Sequence, residues 1–549
     1  MSLASSGGYS VPVETARVAH AIFPQGHLYL RLYDTLGSIY QQRDFADMFS
    51  ALGRPAIDPV RLALVSILQF LEGLTDEQAA NAVRTRIDWK YLLGLDLTDP
   101  GFDRSVLSEF RSRLLSGSVE QLLLDALLAH FHERGLLKTG GRVRTDSTHV
   151  LGAIRATNRL ELVIETLRHA LNSLAVVAPE WLLPHADPHW LDRYGARADD
   201  FRLPKKETER TAYALTVGRD GFALLAALDD ATSPPWLRQV RALQLLRRVW
   251  WQNYTRTGDQ VGWRDPDNIP PATLFLSSPY DPEAHYAKKR TTSWVGYKVH
   301  LTETCDEDAP RLITHVETRP APEPDTAVTP VVHQTLKDKG LSPRRHLVDM
   351  GYIETELVVE SQADYGVELY GPMRGDYRRQ AHEGQGFAVE HFEIDWEGRQ
   401  VECPQGKLSS SWTPVVERGK ELIKVKFATA DCKECPCRAL CTDSNKAVRR
   451  TLTLKPRGLH EALREGRLRE HTEEYKKEYA HRAGIEGTLS QGVRGFGLRR
   501  TRYIGQAETH LGHVMSAIAI NLVRFDNWLQ GKEPVQTRQS AFVKLLAPT

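Results

Sequence analysis

Three acidic residues of this chain stand in settings that suit metal-dependent chemistry. They are Asp146, in a β-type run, Asp349, after a short apolar run, and Glu486, between two glycines. Three carboxylates can hold two Mg²⁺ ions about 3.5–4 Å apart, one activating water or a 3′-hydroxyl and the other stabilising the leaving oxygen. The order Asp, Asp, Glu along the chain therefore fits phosphoryl-transfer chemistry.

The two aspartates need strands to position them. Asp349 follows a brief apolar run that ends at Val348 and precedes a Gly-containing turn, so it ends a short strand, where open α/β sheets place their ligand sites. Asp146 lies within the strand-like run 142–150. Taken singly, each Asp has a simpler interpretation as a turn residue or a helix cap. The presence of Glu486 further along the chain favours the metal-binding interpretation.

Glu486 lies in a helix-forming segment that glycine interrupts. Residues 459–479 are rich in Glu, Leu, Arg and Lys and predict a helix. Gly484 and Gly487 would each destabilise a helix by about 1 kcal/mol relative to Ala. We therefore expect a reason for the absence of side chains at these two positions. Close approach of another backbone, or of a nucleic-acid strand, is such a reason. A helix end with a surface Glu is the alternative.

Five of the six cysteines lie between residues 403 and 441. A Cys-x-x-Cys pair with further cysteines nearby suits tetrahedral Zn²⁺ held by thiolates. The predicted ligands are Cys403, Cys432, Cys435 and Cys441. Cys437 is left aside because its short offset from Cys435 hinders joint ligation, and Cys305 is expected to be packed in a strand. Such a zinc ion would be structural; free or redox-active thiols are the alternative.

The composition is that of a globular chain with unevenly distributed charge. The 549 residues are 41% hydrophobic and 26% charged, which allows several domains and argues against disorder. The net charge is only +1, yet residues 443–503 contain 15 Lys and Arg against 8 Asp and Glu. A basic field around an acidic site suits a phosphate-backbone substrate. A solvated helix of alternating charge is the alternative for residues 461–477.

The sequence shows no membrane or targeting segment. It lacks an apolar run of about 18 residues, and residues 1–8 have neither the basic nor the apolar region of a signal peptide. Six cysteines in a chain of this length argue against a disulfide scaffold. We therefore expect a cytoplasmic protein.

Residues 1–138 predict an all-helical domain. Asp58 followed by Pro59 starts one helix. A further helix, around residues 106–114, carries basic residues on its other faces: Arg104, Arg111 and Arg113. Short helices with one basic member can form a helix-turn-helix DNA reader or a dimerisation bundle, and periodicity does not decide between them.

From residue 142 onward the chain follows an α/β order. Alternation predicts an antiparallel pair, then helix, strand, helix and strand follow in turn. These elements are expected at 295–301, 312–316, 326–339, 345–349, 354–363 and 367–371. Two stretches interrupt this order. Residues 155–290 predict a mainly helical insertion, and residues 373–458 predict a β-containing, Cys-rich insertion.

Several motifs resemble those of DDE transposases of bacterial insertion sequences. They occur at 58–62, 144–150, 280–283, 294–305, 346–352, 403–406, 482–491 and 500–505. The resemblance is closest to the insertion-sequence 1182 family, with an InsH-like N-terminal helical domain, and extends from about residue 18 to 530. It implies a ribonuclease H-like catalytic sheet. The implied parts are an N-terminal DNA-binding or dimerisation domain (1–138), a catalytic domain (139–154, 291–372 and 459–530), the two insertions and a tail (531–549).

The resemblance also implies roles for individual residues. Asp146, Asp349 and Glu486 match the catalytic triad that binds two Mg²⁺ or Mn²⁺ ions. Tyr479 and Arg482 match the Tyr-x-x-Arg-x-x-x-Glu signature, in which Tyr and Arg contact DNA phosphates near the scissile bond. The Lys that continues this signature is replaced by Val493, with Arg494 next to it. Further expected DNA contacts are Arg494, Arg499, Arg500 and Arg502, for which surface solubility is the alternative.

The implied function is transposition of an insertion sequence. The protein would bind terminal inverted repeats, cleave DNA with Mg²⁺ and join the 3′-hydroxyl to target DNA. Its partners would be DNA and a second copy of the chain in the active complex, with no membrane. The alternatives are a DNA-binding protein of transposase descent that has lost catalysis, and a metal-dependent endonuclease without strand transfer.

Overall fold

The chain divides into two units. The computed structural model describes residues 2–3, 9–50, 52–117, 119–376, 378–382, 386–442, 448–532, 542 and 545. The first unit comprises residues 1–138, 146–324 and 484–549, and the second comprises residues 139–145 and 325–483. The predicted tail lies outside the described residues apart from positions 531, 532, 542 and 545.

The N-terminal part of the first unit is helical, as predicted. Its helices are α1 (Val13–Ile22), α2 (Leu28–Leu36), α3 (Pro59–Glu72), α4 (Asp76–Thr85), α5 (Ile87–Leu92), α6 (Ser105–Ser116) and α7 (Glu120–Glu133). Helix α3 begins where the sequence indicates, because the Asp58 side chain accepts a hydrogen bond from Val60 N at 3.0 Å. It ends at Gly73, which adopts the left-handed conformation that favours glycine.

Strand β1 (Arg142–Leu151) follows and contributes to both units. After it the first unit continues with a mainly helical stretch that has its own core. Its elements are α8 (Arg159–Val177), α9 (Pro179–Leu182), α10 (Trp190–Tyr194), α11 (Glu207–Asp229), α12 (Arg241–Asn253), β2 (Tyr254–Thr257) and β3 (Gln260–Trp263). Helix α11 passes close to Trp250, since a Cβ at Gly221 would lie 2.1 Å from that ring.

An antiparallel set of three strands comes next in the first unit. These are β4 (His285–Lys289), β5 (Thr292–Thr304) and β6 (Ile313–Pro320). Strand β5 pairs with β4 from Gly296↔His285 and with β6 from Tyr297↔Pro320. Strand β5 also lies against the carboxyl end of β1, because a Cβ at Gly296 would be 2.2 Å from Val150 O. The predicted antiparallel pair is therefore present.

The second unit contains parallel strands joined by helices. Its elements are α13 (Val328–Asp338), β7 (Arg345–Leu347), α14 (Thr355–Tyr365) and β8 (Glu368–Tyr370). Strand β7 pairs in parallel with the first residues of β1, through Arg142↔Arg345, and with β8, through Arg345↔Glu368. Helical crossovers are what parallel neighbours require, and the predicted helix–strand order of this region is present.

The Cys-containing segment of the second unit forms small sheets around a small core. The elements are α15 (Arg379–His382), β9 (Glu393–Asp395), β10 (Gln400–Glu402), β11 (Ser409–Glu417), β12 (Lys420–Phe427), α16 (Thr429–Lys433), α17 (Arg438–Cys441) and β13 (Thr451–Leu454). Strand β12 pairs antiparallel with both β11 and β13. The buried side chains here are Phe392, Val401, Val425, Phe427, Leu452 and Leu454.

The single helix predicted for residues 459–479 is two helices in the structure. Helix α18 (Arg457–Glu470) stops before Thr472, whose side chain accepts a hydrogen bond from Tyr475 N at 3.2 Å and starts α19 (Glu473–Tyr479). The sequence did not reveal the Thr472 cap because strong helix-forming residues lie on both sides of it. A 3₁₀ turn over residues 480–483 ends the second unit.

The first unit closes with α20 (Gly484–Gly495) and α21 (Gln506–Leu529). Helix α21 is buried along most of its length and contacts β6, α3 and α7. Phe525 packs on Phe131 with ring centroids 5.1 Å apart, and Asp526 pairs with Arg31 at 2.7 Å. In the described part of the chain, no helix combines the length and apolarity that a membrane span needs. The architecture is mixed α/β.

Candidate active site

Asp146 lies in the middle of β1, unlike Asp349, which follows its strand. The Asp146 carboxylate accepts a hydrogen bond from Ser147 N at 2.7 Å, and the residue is half-buried. Because side chains alternate along a strand, Asp146 and Thr148 lie on the same face of β1. A group that contacts Thr148 therefore lies on the face that carries the acid.

Arg499 lies on that face. Leu151 N donates to Arg499 O at 2.8 Å and Thr501 N donates to Leu151 O at 3.2 Å, so this segment runs beside the end of β1. Arg499 Nε donates to Thr148 Oγ1 at 2.8 Å. The first unit thus holds a cationic side chain on the same side of β1 as Asp146.

Glu486 occupies the first turn of α20 and is exposed. Ile485 and Leu489 are buried beneath the helix, which turns the carboxylate outward. A carboxylate near a helix N-terminus is favoured by the helix dipole. A Cβ added at Gly487 would meet no described atom within 4 Å. Within the described residues, no neighbouring segment therefore lies close to Gly487, and its exposed side is accessible.

A buried polar network, which sequence reasoning missed, anchors the helix that carries Glu486. Thr488 Oγ1 donates to Glu303 Oε2 at 2.6 Å, and Arg524 Nη1 donates to the same oxygen at 2.7 Å. Arg524 also donates to Gln491 at 3.0 Å. The Glu303 side chain is 0% exposed. This network ties α20 to β5 and α21 within the first unit. The sequence contains one signal of this network, because Glu303 stands at a position of β5 where alternation predicts a buried side chain.

Asp349, in the second unit, stands two residues after β7. Its Oδ1 accepts a hydrogen bond from Gly351 N at 2.7 Å, and its Oδ2 lies 3.9 Å from Arg482 Nη2. A Cβ at Gly351 would lie 2.9 Å from Asp349 Oδ1 and 3.2 Å from Asp325 Oδ2. A larger residue at position 351 would crowd both carboxylates, and Asp325 is a second carboxylate beside Asp349 that sequence reasoning missed.

Tyr479 belongs to an aromatic stack in the second unit. Its ring lies 5.5 Å from that of Tyr475, which lies 4.7 Å from that of Tyr370, and both pairs are nearly parallel. The guanidinium groups of Arg345 and Arg469 lie 4.7 Å and 4.5 Å from the Tyr370 ring. The stack fixes the end of α19, from which the 3₁₀ turn carries Arg482 toward Asp349.

The other predicted DNA-contacting arginines differ in their surroundings. Arg494 and Arg500 are exposed. Arg502 donates to Leu74 O at 2.6 Å and lies 5.2 Å from the Phe70 ring, so it helps pack the N-terminal helices.

The basic residues around α6 have carboxylate partners. Arg111, which is 9% exposed, pairs with Asp76 at 2.6 Å. Arg113 pairs with Glu109 at 2.8 Å, and Arg104 lies 4.0 Å from Glu77. Arg111 therefore serves packing, and the expectation that it presents a basic surface is wrong because Asp76 neutralises it in the interior.

The four cysteines predicted as zinc ligands line one cavity of about 240 Å³ in the second unit. Burial raises the pKa of the Cys441 thiol to about 11; Arg450 lowers it, while Cys435, Cys403 and Cys432 raise it. None of the six cysteines forms a disulfide, and Cys305 is buried in the first unit.

The donor chemistry of the predicted ligands fits the predicted metals. Carboxylate oxygens are the ligands that Mg²⁺ prefers, and thiolates are preferred by Zn²⁺. Among the described residues, no group of three His, Cys, Asp or Glu side chains has the spacing of a formed metal site.

Two family models match parts of the chain. Residues 402–525 match the model described as "Transposase DDE domain". Residues 17–113 match the model described as "Transposase domain (DUF772)". The matches support a DDE transposase of an insertion element. None of the curated proteins compared with the chain matches it.

The two matched segments cover different parts of the predicted transposase site. The DDE match contains Glu486 and the five clustered cysteines, whereas Asp146 and Asp349 lie outside it. The second match contains helices α2 to α5 and most of α6. Enzymes with DDE domains generally use divalent metal ions, which agrees with the carboxylate chemistry of the three acids.

Proposed function

We propose that the chain is a DNA transposase of the insertion-sequence 1182 type, with a ribonuclease H-like catalytic fold. It binds the terminal inverted repeats of its element in the cytoplasm, cleaves DNA strands and joins the 3′-hydroxyl to target DNA. The observation that carries this proposal is Glu486, an exposed carboxylate in the first turn of α20, within the segment that matches the DDE domain.

The catalytic residues proposed are Asp146, Asp349 and Glu486. Their oxygens would hold two Mg²⁺ or Mn²⁺ ions, which supply charge neutralisation at the phosphate and activation of the nucleophile. No covalent enzyme intermediate is needed, because water and then the DNA 3′-hydroxyl act as nucleophiles. The role of the protein is mainly to position the phosphodiester and to stabilise charge.

Basic side chains near these acids would contact the DNA backbone. Arg499 shares a face of β1 with Asp146, and Arg482 lies 3.9 Å from the Asp349 carboxylate. We extend the assignment to Tyr479, beside Arg482 in the chain, and to the exposed Arg494 and Arg500. Cutting and joining two DNA ends in one assembly requires at least two copies of the chain, so the active complex is a homodimer or larger.

The test is an assay on labelled duplex DNA that carries the terminal repeats, with and without Mg²⁺. The wild-type protein should bind, cleave and produce joined product only when Mg²⁺ is present. Glu486→Gln should bind but not cleave. The matched control Glu474→Gln changes an exposed acid of α19 in the same way and should keep activity.

Two outcomes would contradict the proposal. Binding without cleavage by the wild-type protein would indicate a DNA-binding protein that has lost catalysis. Cleavage without joined product, at target DNA concentrations that saturate binding, would indicate an endonuclease.

A further inference from the structure

One cavity in the second unit is lined by four of the five clustered cysteines. Its lining includes Cys403, Cys432, Cys435 and Cys441. Cys437 does not line the cavity although it stands two residues from Cys435; it immediately precedes α17. The four thiols come from two segments, and 28 residues separate Cys403 from Cys432 in the chain. Folding, and not sequence proximity alone, brings them to one place.

The backbone at the first cysteine forms a tight turn. Gly406 N donates to Cys403 O at 2.8 Å, and Cys403 N donates to Lys407 O at 2.9 Å. Gly406 has φ +71°, which favours glycine. The turn fixes Cys403 without using its sulfur, so the thiol stays available to a ligand.

The other three thiols are placed by short helices. Cys432 lies in α16, Cys435 follows it and its carbonyl accepts from Arg438 N at 3.2 Å, and Cys441 ends α17. Cys403, Cys432 and Cys441 also pack on the small core that contains Phe427. These three side chains therefore lie between that core and the cavity.

The charge of the lining suits anionic sulfur. Lys407, Arg438 and Arg450 line the cavity together with Asp431 and Glu434. Arg450 is 7% exposed and donates to Cys441 O at 2.7 Å. Four thiolates around Zn²⁺ carry a net charge of −2, and the positive excess of the lining offsets part of it.

The buried hydrophobic core of this segment is small. In the part of the chain that the structure describes, its buried hydrophobic core is six side chains. Small modules with such cores commonly depend on a metal or on disulfides, and the cysteines here form no disulfide.

We infer that Cys403, Cys432, Cys435 and Cys441 bind one structural Zn²⁺ in this cavity, and that Cys437 does not. Among the described residues, no group of three or more His, Cys, Asp and Glu is placed to hold a metal ion, so Zn²⁺ binding would have to bring the four sulfurs closer together. The site has no catalytic role, and it is independent of the proposed transposition.

The first test is elemental analysis of the untagged full-length protein purified without chelator. We expect about one Zn²⁺ per chain. Cys432→Ser combined with Cys435→Ser should abolish the bound zinc. The matched control Cys437→Ser removes a thiol from the same segment and should keep it. Zinc-free wild-type protein, or equal loss of zinc in the control, would overturn the inference.

A second measurement uses only the wild-type protein, so it does not depend on folding of the variants. Cobalt exchanged for zinc should give the absorption bands of tetrahedral thiolate coordination. In the zinc form, a thiol reagent should modify four fewer cysteines before chelator is added than after it. Cobalt without thiolate bands, or no chelator effect on thiol reactivity, would show that the cysteines are free thiols.

Discussion

The buried carboxylate of Glu303 offers a sharp test of how the helix of Glu486 is held. Glu303→Gln preserves shape but removes the charge that pairs with Arg524 at 2.7 Å. Breaking a buried ion pair by removing one partner costs about 3–5 kcal/mol. Arg524 keeps Gln491 and Arg311 O as acceptors and is 16% exposed. We therefore expect the lower end of that range, about 3 kcal/mol.

The effect should be local, so the assay must report on α20 itself. Hydrogen–deuterium exchange of peptides from residues 484–495 measures the opening free energy of this helix. A loss of about 3 kcal/mol raises the opening equilibrium roughly 100-fold, since 1.4 kcal/mol is tenfold. The matched control is Glu109→Gln in α6, which breaks an exposed pair with Arg113 and should cost only about 0.3–0.5 kcal/mol.

A double variant separates the ion pair from general damage. Glu303→Gln with Arg524→Met removes both charges, so it should be less destabilising than the sum of the single changes. If Glu303→Gln leaves exchange in α20 within about threefold of the wild-type protein, the network does not hold the helix. An additive double variant would show that the two side chains act separately.

Three further predictions concern catalysis, DNA binding and pH. Asp349→Asn should lower cleavage and joining by orders of magnitude at nearly unchanged thermal stability. Binding of terminal DNA should persist or tighten, because an anion that repels phosphates is removed; near wild-type cleavage by the folded variant would contradict this. Arg499→Ala should weaken DNA binding and reduce its salt dependence by about one phosphate contact, whereas Arg502→Ala should lower the melting temperature; the opposite pattern would refute both assignments. Burial lowers the pKa of His513 to about 3, below the value of about 6.5 in an unfolded chain. The folded state then binds fewer protons, so stability should fall by about 1.4 kcal/mol per pH unit from this group as pH drops from about 6.5 toward 3. His513→Asn should flatten the urea-unfolding midpoint against pH, and an unchanged slope would exclude this role.

Local signals in the sequence predicted the elements well. Asp58 and Pro59 start α3: the Asp58 side chain accepts a backbone hydrogen bond, and Pro59 has no N–H group that would need an acceptor in the first turn. Thr75 and Gln78 have the spacing of a capping box in the sequence, and their side chains form one at the start of α4. Such signals act over a few residues, so they can be read from the chain alone.

Long-range pairs could not be predicted in this way. The partner of Arg111 is Asp76, and that of Glu303 is Arg524, more than 200 residues away. Neither pair follows from spacing, because only the folded chain brings the charges together. The break at Thr472 was missed for a related reason, since strong helix formers on both sides masked a cap.

Arg499 and Arg502 show why each residue of a basic motif must be assigned its role separately. Both stand in one run of arginines, and the sequence gives them the same expected role. The backbone pairing with Leu151 places Arg499 beside Thr148, on the face of β1 that carries Asp146. Three residues later the side chain of Arg502 donates to Leu74 O, so it contributes to the helical part of the first unit. The two arginines of one motif therefore differ in their surroundings, one lying beside a proposed catalytic residue and the other making a structural contact, so the net charge of the motif does not predict its affinity for DNA.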